Sequence, residues 1–257
     1  MAAPSNDKPI IVAFTLDFET GGLTAQDCAC TQIAIHAVRI DTFETIDRYV
    51  RYIAPYNQQS DKGTVKRKVL KSKYDQEDTV SMKYEEKALT YSAITMEMLE
   101  TMGVDIKEVA ADVVQFIKKN TLTKSRNMKP FFIGQNIPFD VSFLQQLMEY
   151  GGMMKEFSKI VRGQVDFYGN FQPLYVDTIV LGQFALSHLE GVTSYKLEIL
   201  AERLGIELDD AHDADADVTA TTNIAMILSQ RMRSTAGSDV GEMVMTKKEK
   251  SRTHFKI

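Results

Sequence analysis

The feature that most limits what this chain can fold into is a short apolar run that ends in two acids. Ile10 to Leu16 (IIVAFTL) leads directly into Asp17-Phe18-Glu19 and then Thr20-Gly21-Gly22. The run is β-rich and far short of the roughly 18 residues of a membrane span, so it predicts a buried strand ended by Gly21 and Gly22. Strand side chains alternate, which puts Asp17 and Glu19 on one face. Two carboxylates that close repel each other unless a cation lies between them. Hard divalent ions such as Mg²⁺ or Mn²⁺ take oxygen ligands of this kind, and glycines let backbone amides approach a ligand closely. Asp-x-Glu also occurs at Asp75-Gln76-Glu77, in polar sequence without such a strand. The alternative for the first pair, taken alone, is a strand end carrying solvated acids.

Around that strand the pattern is mixed. Gln32 to Ile40 and Phe43 to Ile53 predict two more strands, joined by a turn at Asp41 and Thr42 and stopped at Pro55. Residues 57–87 are polar and charged, and form a surface insertion. Met96 to Met102 makes one or two helical turns. Asp105 then caps a helix in which Ile106, Val109, Ala110, Val113, Phe116 and Ile117 recur at 3–4 spacing. Phe131 to Ile133 is a short strand, followed by a helix from Pro138 to Tyr150 that Gly151 and Gly152 close. Residues 152–174 carry no readable pattern. Beyond them come a brief strand at Leu174 to Val176 and a helix from Thr178 to His188. A further helix is capped by Ser194 and stopped by Gly205, and a last one runs from His212 to about Arg231. Three strands followed by helices alternating with short strands predict an α/β fold with a mixed sheet.

Composition removes other classes. The chain has 257 residues, 44% hydrophobic and 25% charged, enough for a sizeable core. Residues 1–9 lack the layout of a signal peptide. Cys28 and Cys30 are too few and too close for a disulfide framework or a zinc site, and read as loop residues. A soluble intracellular protein, cytoplasmic and without a membrane span, is expected. Net charge is −5, yet residues 62–73 carry six basic residues and no acid, and the tail from Lys247 to Lys256 carries five against Glu249. An acidic body with two basic segments is not a nonspecific nucleic-acid binder. It is compatible with a carboxylate-rich metal centre fed by local basic contacts, although charge runs are more commonly solvated, mobile segments.

Two more constellations carry chemistry. Gly134-Gln135-Asn136-Ile137-Pro138-Phe139-Asp140 runs from a strand into a helix with Pro at its start. Asp140 there either stabilises the helix N-terminus or faces the same cleft as Asp17. Asn136 is either a turn residue or a hydrogen-bonding contact for a substrate sugar or phosphate. In Ala211-His212-Asp213-Ala214-Asp215-Ala216-Asp217, alanines let a helix pack closely while acids project. A histidine beside a metal centre is suited to take a proton from water near neutral pH. The same His-x₄-Asp spacing recurs at His36 and Asp41, where a strand would place the two side chains on opposite faces.

Together these segments resemble the DEDDh 3′→5′ exonuclease superfamily, which has a ribonuclease-H-like fold and includes polymerase proofreading subunits and RNA-trimming nucleases. The resemblance rests on Thr15-Leu16-Asp17-Phe18-Glu19-Thr20-Gly21, on Gln135-Asn136 through Phe139-Asp140, and on His212 through Asp217, in that order. Ile94-Thr95, Val176-Asp177-Thr178 and the segment from Tyr195 to Gly205 also resemble family segments. Gln135 stands where many members carry His, Gly-Gly follows Thr20, and the insertion at 57–87 is longer than usual. By this resemblance residues 8–232 form an exonuclease domain and residues 233–257 a flexible basic tail.

The resemblance implies hydrolysis of phosphodiesters with two Mg²⁺ or Mn²⁺ ions, in DNA repair or RNA processing. Asp17 would bridge both ions, with Glu19 and Asp217 completing one site and Asp140 serving the other. His212 would be the general base. Thr20, Gly21, Thr95 and Asn136 would hold the terminal nucleotide at the 3′ end of single-stranded DNA or RNA, releasing nucleoside 5′-monophosphates. A polymerase or a second copy in a homodimer is a possible partner. The alternatives are a catalytically inert nucleic-acid-binding or scaffold module of the same fold, and a phosphoesterase acting on mononucleotides.

Overall fold

The computed structural model of the chain describes residues 10–59, 80–123, 125, 128–208 and 213–235, the last two of these by backbone alone. Strands β1 (Val12–Thr20), β2 (Cys30–Arg39) and β3 (Thr45–Tyr52) come first, then helices α1 (Glu86–Tyr91), α2 (Met96–Met102) and α3 (Ile106–Asn120). Next are β4 (Phe131–Gly134), α4 (Pro138–Tyr150), α5 (Met154–Ile160), β5 (Gly163–Val165), β6 (Phe171–Pro173) and β7 (Tyr175–Asp177). Helices α6 (Thr178–Leu186), α7 (Leu197–Leu204) and α8 (Ala214–Thr235) follow. The main sheet has the order β3-β2-β1-β4-β7. Its first three strands are antiparallel, while β4 and β7 run parallel to β1. This is the mixed α/β sheet of a ribonuclease-H-like fold.

Alternation along β1 sorts its side chains between two layers. Phe14 packs on Phe116 of α3 and on Phe132, and Phe18 on Phe143 of α4, within a core that continues through Leu16, Ile33, Ile35 and Leu144. The other face carries Thr15, Asp17 and Glu19. There the small side chains of α8 permit close approach: Ala214 and Val218 pack on Ala34, and Thr222 Oγ1 lies 3.0 Å from Thr15 Oγ1. Aromatic and aliphatic burial thus fixes one face, and the opposite face is left for polar residues.

Several boundaries move relative to the expectation. The first strand does run through the acids to end before Gly21, since β2 keeps pairing with it to Thr20 and Cys30 across an irregularity after Glu19. Cys30 is not a loop residue: it opens β2 and, like Cys28, is a buried free thiol. Ser194 does not cap its helix. The helix begins at Leu197 after Lys196, and Ser194 only accepts the Lys196 N–H at 3.4 Å. Gly205 does end it, with φ +73°. The segment at 152–174 holds α5 and the β5–β6 hairpin, and α1 follows the insertion. Most of the insertion, including the basic segment 62–73, and the tail from 236 onward lie outside the described residues. Among the described residues no helix is long and apolar enough to cross a membrane.

Candidate active site

Three elements meet at the carboxyl end of β1. Asp17 and Glu19 project from one face of the strand, and Asp217 comes from the first turn of α8. One carboxylate oxygen from each lies within 4.8 Å of the others. All three residues are half-buried. The fourth acid, Asp140, is only 3% exposed at the start of α4 and accepts the backbone N–H of Phe18 at 3.0 Å. Its carboxyl is therefore tied to the strand between Asp17 and Glu19, 122 positions earlier in the chain, as well as sitting where the helix dipole favours it.

The electrostatics follow from this crowding. Burial, then the charges of Asp217 and Asp213, push Asp17 up to about 7. Burial, then Asp17, Asp217 and Asp213, push Glu19 up to about 8. Asp140 is held well above the usual carboxylate range by burial and then by Asp17, while the Phe18 N–H acts in the opposite sense. Asp17, Glu19 and Asp140 resist ionising beside one another and beside Asp217, and such a crowd needs either protons or cations to coexist. The donors are all hard oxygens, so the set fits a divalent ion of the Mg²⁺ or Mn²⁺ type.

The remaining expected residues are placed as follows. Thr20 is buried and its hydroxyl donates to the Gly22 carbonyl at 2.8 Å. The Gly21 N–H donates to the Ala29 carbonyl at 2.8 Å, and its carbonyl accepts the Glu85 N–H at 2.7 Å. That amide is engaged within the protein and is not directed at a ligand. Glycine is required there by close approach: a Cβ would sit 2.5 Å from the Lys83 carbonyl oxygen. Thr95 is exposed and caps α2, accepting the Met98 N–H at 3.1 Å. It also lines a cavity of about 500 Å³ with Tyr84, Leu89, Ile94 and Met96. Asn136 is exposed with φ +53°, and its N–H donates to Asp177, which caps α6. Gln135 is occupied by Thr178 and by the Tyr195 carbonyl. His212 lies outside the described residues.

Two further residues carry links that the sequence pattern did not mark. Tyr91 closes α1, and its phenol is raised by burial and then by the charges of Glu198, Asp217 and Glu19. Nothing in α1 is buried, so no apolar periodicity marked it. The second is His36, which bonds Asp215 on α8. Only a fold that lays α8 across β2 brings these two residues together.

Comparisons with known proteins agree with this architecture. The Exonuclease family model (RNase_T) matches residues 64–225, more than half of the chain and inclusive of Asp140, His212 and Asp217. Among curated proteins no sequence matches. Exonuclease I of E. coli, solved with a dT13 oligonucleotide, superposes with a TM-score of 0.60 at 20% identity, over 88% of this chain and 42% of that one. Exonuclease I from Methylocaldum szegediense gives 0.58 at 20% identity, over 86% and 41%. The chain thus spans about two-fifths of the length of these structures, and at this identity the likeness establishes the fold. With that fold and the matched model, the chain belongs to the RNase_T exonuclease family, DEDD-type 3′→5′ exonucleases of the ribonuclease-H-like superfamily.

Proposed function

We propose that this chain is a metal-dependent 3′→5′ exonuclease that hydrolyses phosphodiesters of single-stranded DNA or RNA from the 3′ end and releases nucleoside 5′-monophosphates. The observation that carries the reading is the convergence of Asp17, Glu19 and Asp217, with Asp140 tied to the same strand. Asp17, Glu19, Asp140 and Asp217 would hold two divalent ions. Such ions supply positive charge that offsets the charge developing on the attacking and leaving oxygens.

The chain's own residues do the rest. The rigid β1 and the start of α4 hold their carboxylates in fixed relation, so little reorganisation is needed when substrate arrives. His212 would accept the proton of the attacking water. The cavity beside Thr95, lined mainly by apolar side chains, would take the terminal nucleoside, and Thr20, Gly21 and Asn136 would contact it on the strength of the family resemblance alone. E. coli Exonuclease I has been solved with dT13 and with dA16, which supports an unpaired strand as substrate.

Digestion of matched DNA and RNA oligomers, labelled at the 5′ end, tests the proposal. With Mn²⁺ or Mg²⁺ the expected product is a ladder shortening from the 3′ end, absent with Asp17→Ala. Full activity of Asp17→Ala would reject the mechanism. Binding without cleavage by the native chain would favour the inert module, and cleavage restricted to mononucleotide esters the phosphoesterase.

A further inference from the structure

The second face of the sheet contains a buried polar contact that the chemistry above does not use. His36 is 0% exposed on β2, flanked by Thr15 on β1 and Arg48 on β3. Its Nε2 lies 2.5 Å from Oδ1 of Asp215, and Oδ2 of Asp215 accepts from the Arg48 guanidinium at 3.4 Å. Among the described residues, Nδ1 of His36 has no hydrogen-bond partner. A bond to a carboxylate requires the proton on Nε2, which leaves Nδ1 a bare lone pair on a neutral ring. Burial, which lowers the pKa of His36, favours that neutral form.

We propose that His36, acting through Asp215, is a positioning residue that fixes the first turn of α8 and thereby aims Asp217 at Asp17 and Glu19. The inference rests on the proposed function. Asp215 and Asp217 share a single turn, whose first described bond is the Asp217 N–H to the Asp213 carbonyl at 3.0 Å. Ala214 and Val218, the apolar contacts of this turn with Ala34 and Val50, are small and non-directional, so they tolerate sliding of the helix along the sheet. A second polar anchor of α8 on the sheet, Thr222 to Thr15, comes five residues after Asp217. The His36–Asp215 bond is thus a directional contact within the same turn of α8 that carries Asp217. Asp215 as a mere helix N-terminal acid would gain nothing from a buried histidine aimed at it.

The test compares Asp215→Ala with Asp215→Asn in the full chain. Both remove the charge, but only Asn keeps an oxygen that accepts from Nε2. Amide hydrogen exchange with chelator present should show the Asp217 N–H exchanging at least tenfold faster in Asp215→Ala, with the amide of Thr222 unchanged. Mn²⁺ affinity by calorimetry, and kcat on a single-stranded oligomer, should each fall about tenfold, as losses behind a metal ligand do, with KM within twofold. Asp215→Asn should stay within twofold of the native chain in every readout. Unchanged exchange in Asp215→Ala overturns the proposal whether or not the chain is a nuclease. An Asp215→Asn as impaired as Asp215→Ala also overturns it, since charge would then be the cause. A native chain that binds no Mn²⁺ and cuts no oligomer overturns the proposed function instead, and the exchange result still decides the positioning role.

Discussion

Replacing Asp17 by Asn should stabilise the metal-free protein while abolishing its activity. Asp17 holds its proton up to about pH 7 in the folded chain, against an ordinary aspartate value of 3.8. A raised carboxyl pKa favours folding fully below pH 3.8, and that contribution is lost as pH rises through 7. At pH 8 the ionised group works against folding. At roughly 1.4 kcal/mol per pH step the whole shift corresponds to about 4 kcal/mol, and water reaching this half-buried group leaves about 1–2 kcal/mol. Asn carries no charge at any of these pH values, so Asp17→Asn should melt about 2–8 °C higher than the native chain at pH 8 with chelator present. At pH 5, where the folded native chain is protonated and the unfolded chain is not, about a third of the difference should remain. Saturating Mn²⁺ should reverse the order, since a ligand at a hundred times its dissociation constant adds about 2.7 kcal/mol to the native chain alone. Thermal unfolding at the two pH values, with and without metal, reads all four quantities. A native chain as stable as Asp17→Asn at pH 8 without metal would refute the idea that the acids are held together against their own repulsion.

Other perturbations reach the same site by different routes. Asp140→Asn keeps an acceptor for the Phe18 N–H and should fold normally but lose nuclease activity. Asp140→Leu strands that buried N–H, and denaturant unfolding should show a further loss of about 1–3 kcal/mol. Gly21→Ala drives a methyl against the Lys83 carbonyl; calorimetric melting should show about 1–3 kcal/mol of destabilisation. Thr95→Ala removes the cap of α2 and should cost about 1 kcal/mol, while KM for a single-stranded oligomer rises. Chelation should stop nuclease activity reversibly, with recovery on adding Mn²⁺ in a filter or gel assay.

Much of this architecture is written in short-range pattern. The strand into Asp17, the 3–4 spacing from Ile106 to Ile117, and the Pro138 start with its glycine stop are local signals. The structure has elements at each of them. What could not be read is what packs weakly or pairs at a distance. Helix α5 buries only Phe157, and the strands of the β5–β6 hairpin are three residues each, so neither leaves a period to detect. The fourth acid is the instructive case. Its position in a helical first turn is as well explained by the dipole as by chemistry, and only the hydrogen bond to Phe18 joins it to β1. Gly21 looked like an opening for a ligand, whereas tertiary packing against residues 83 and 84 fills that space. His36 was legible only as half of a coincidental spacing, because its true partner lies 179 residues away.

That reach along the polypeptide has a temporal side. Asp217 is made two hundred positions after Asp17, and the strand cannot recruit that acid until α8 has been synthesised and docked. Contacts of such long sequence separation form late and slowly. A growing chain on the ribosome therefore cannot bring the four acids together until α8 has emerged.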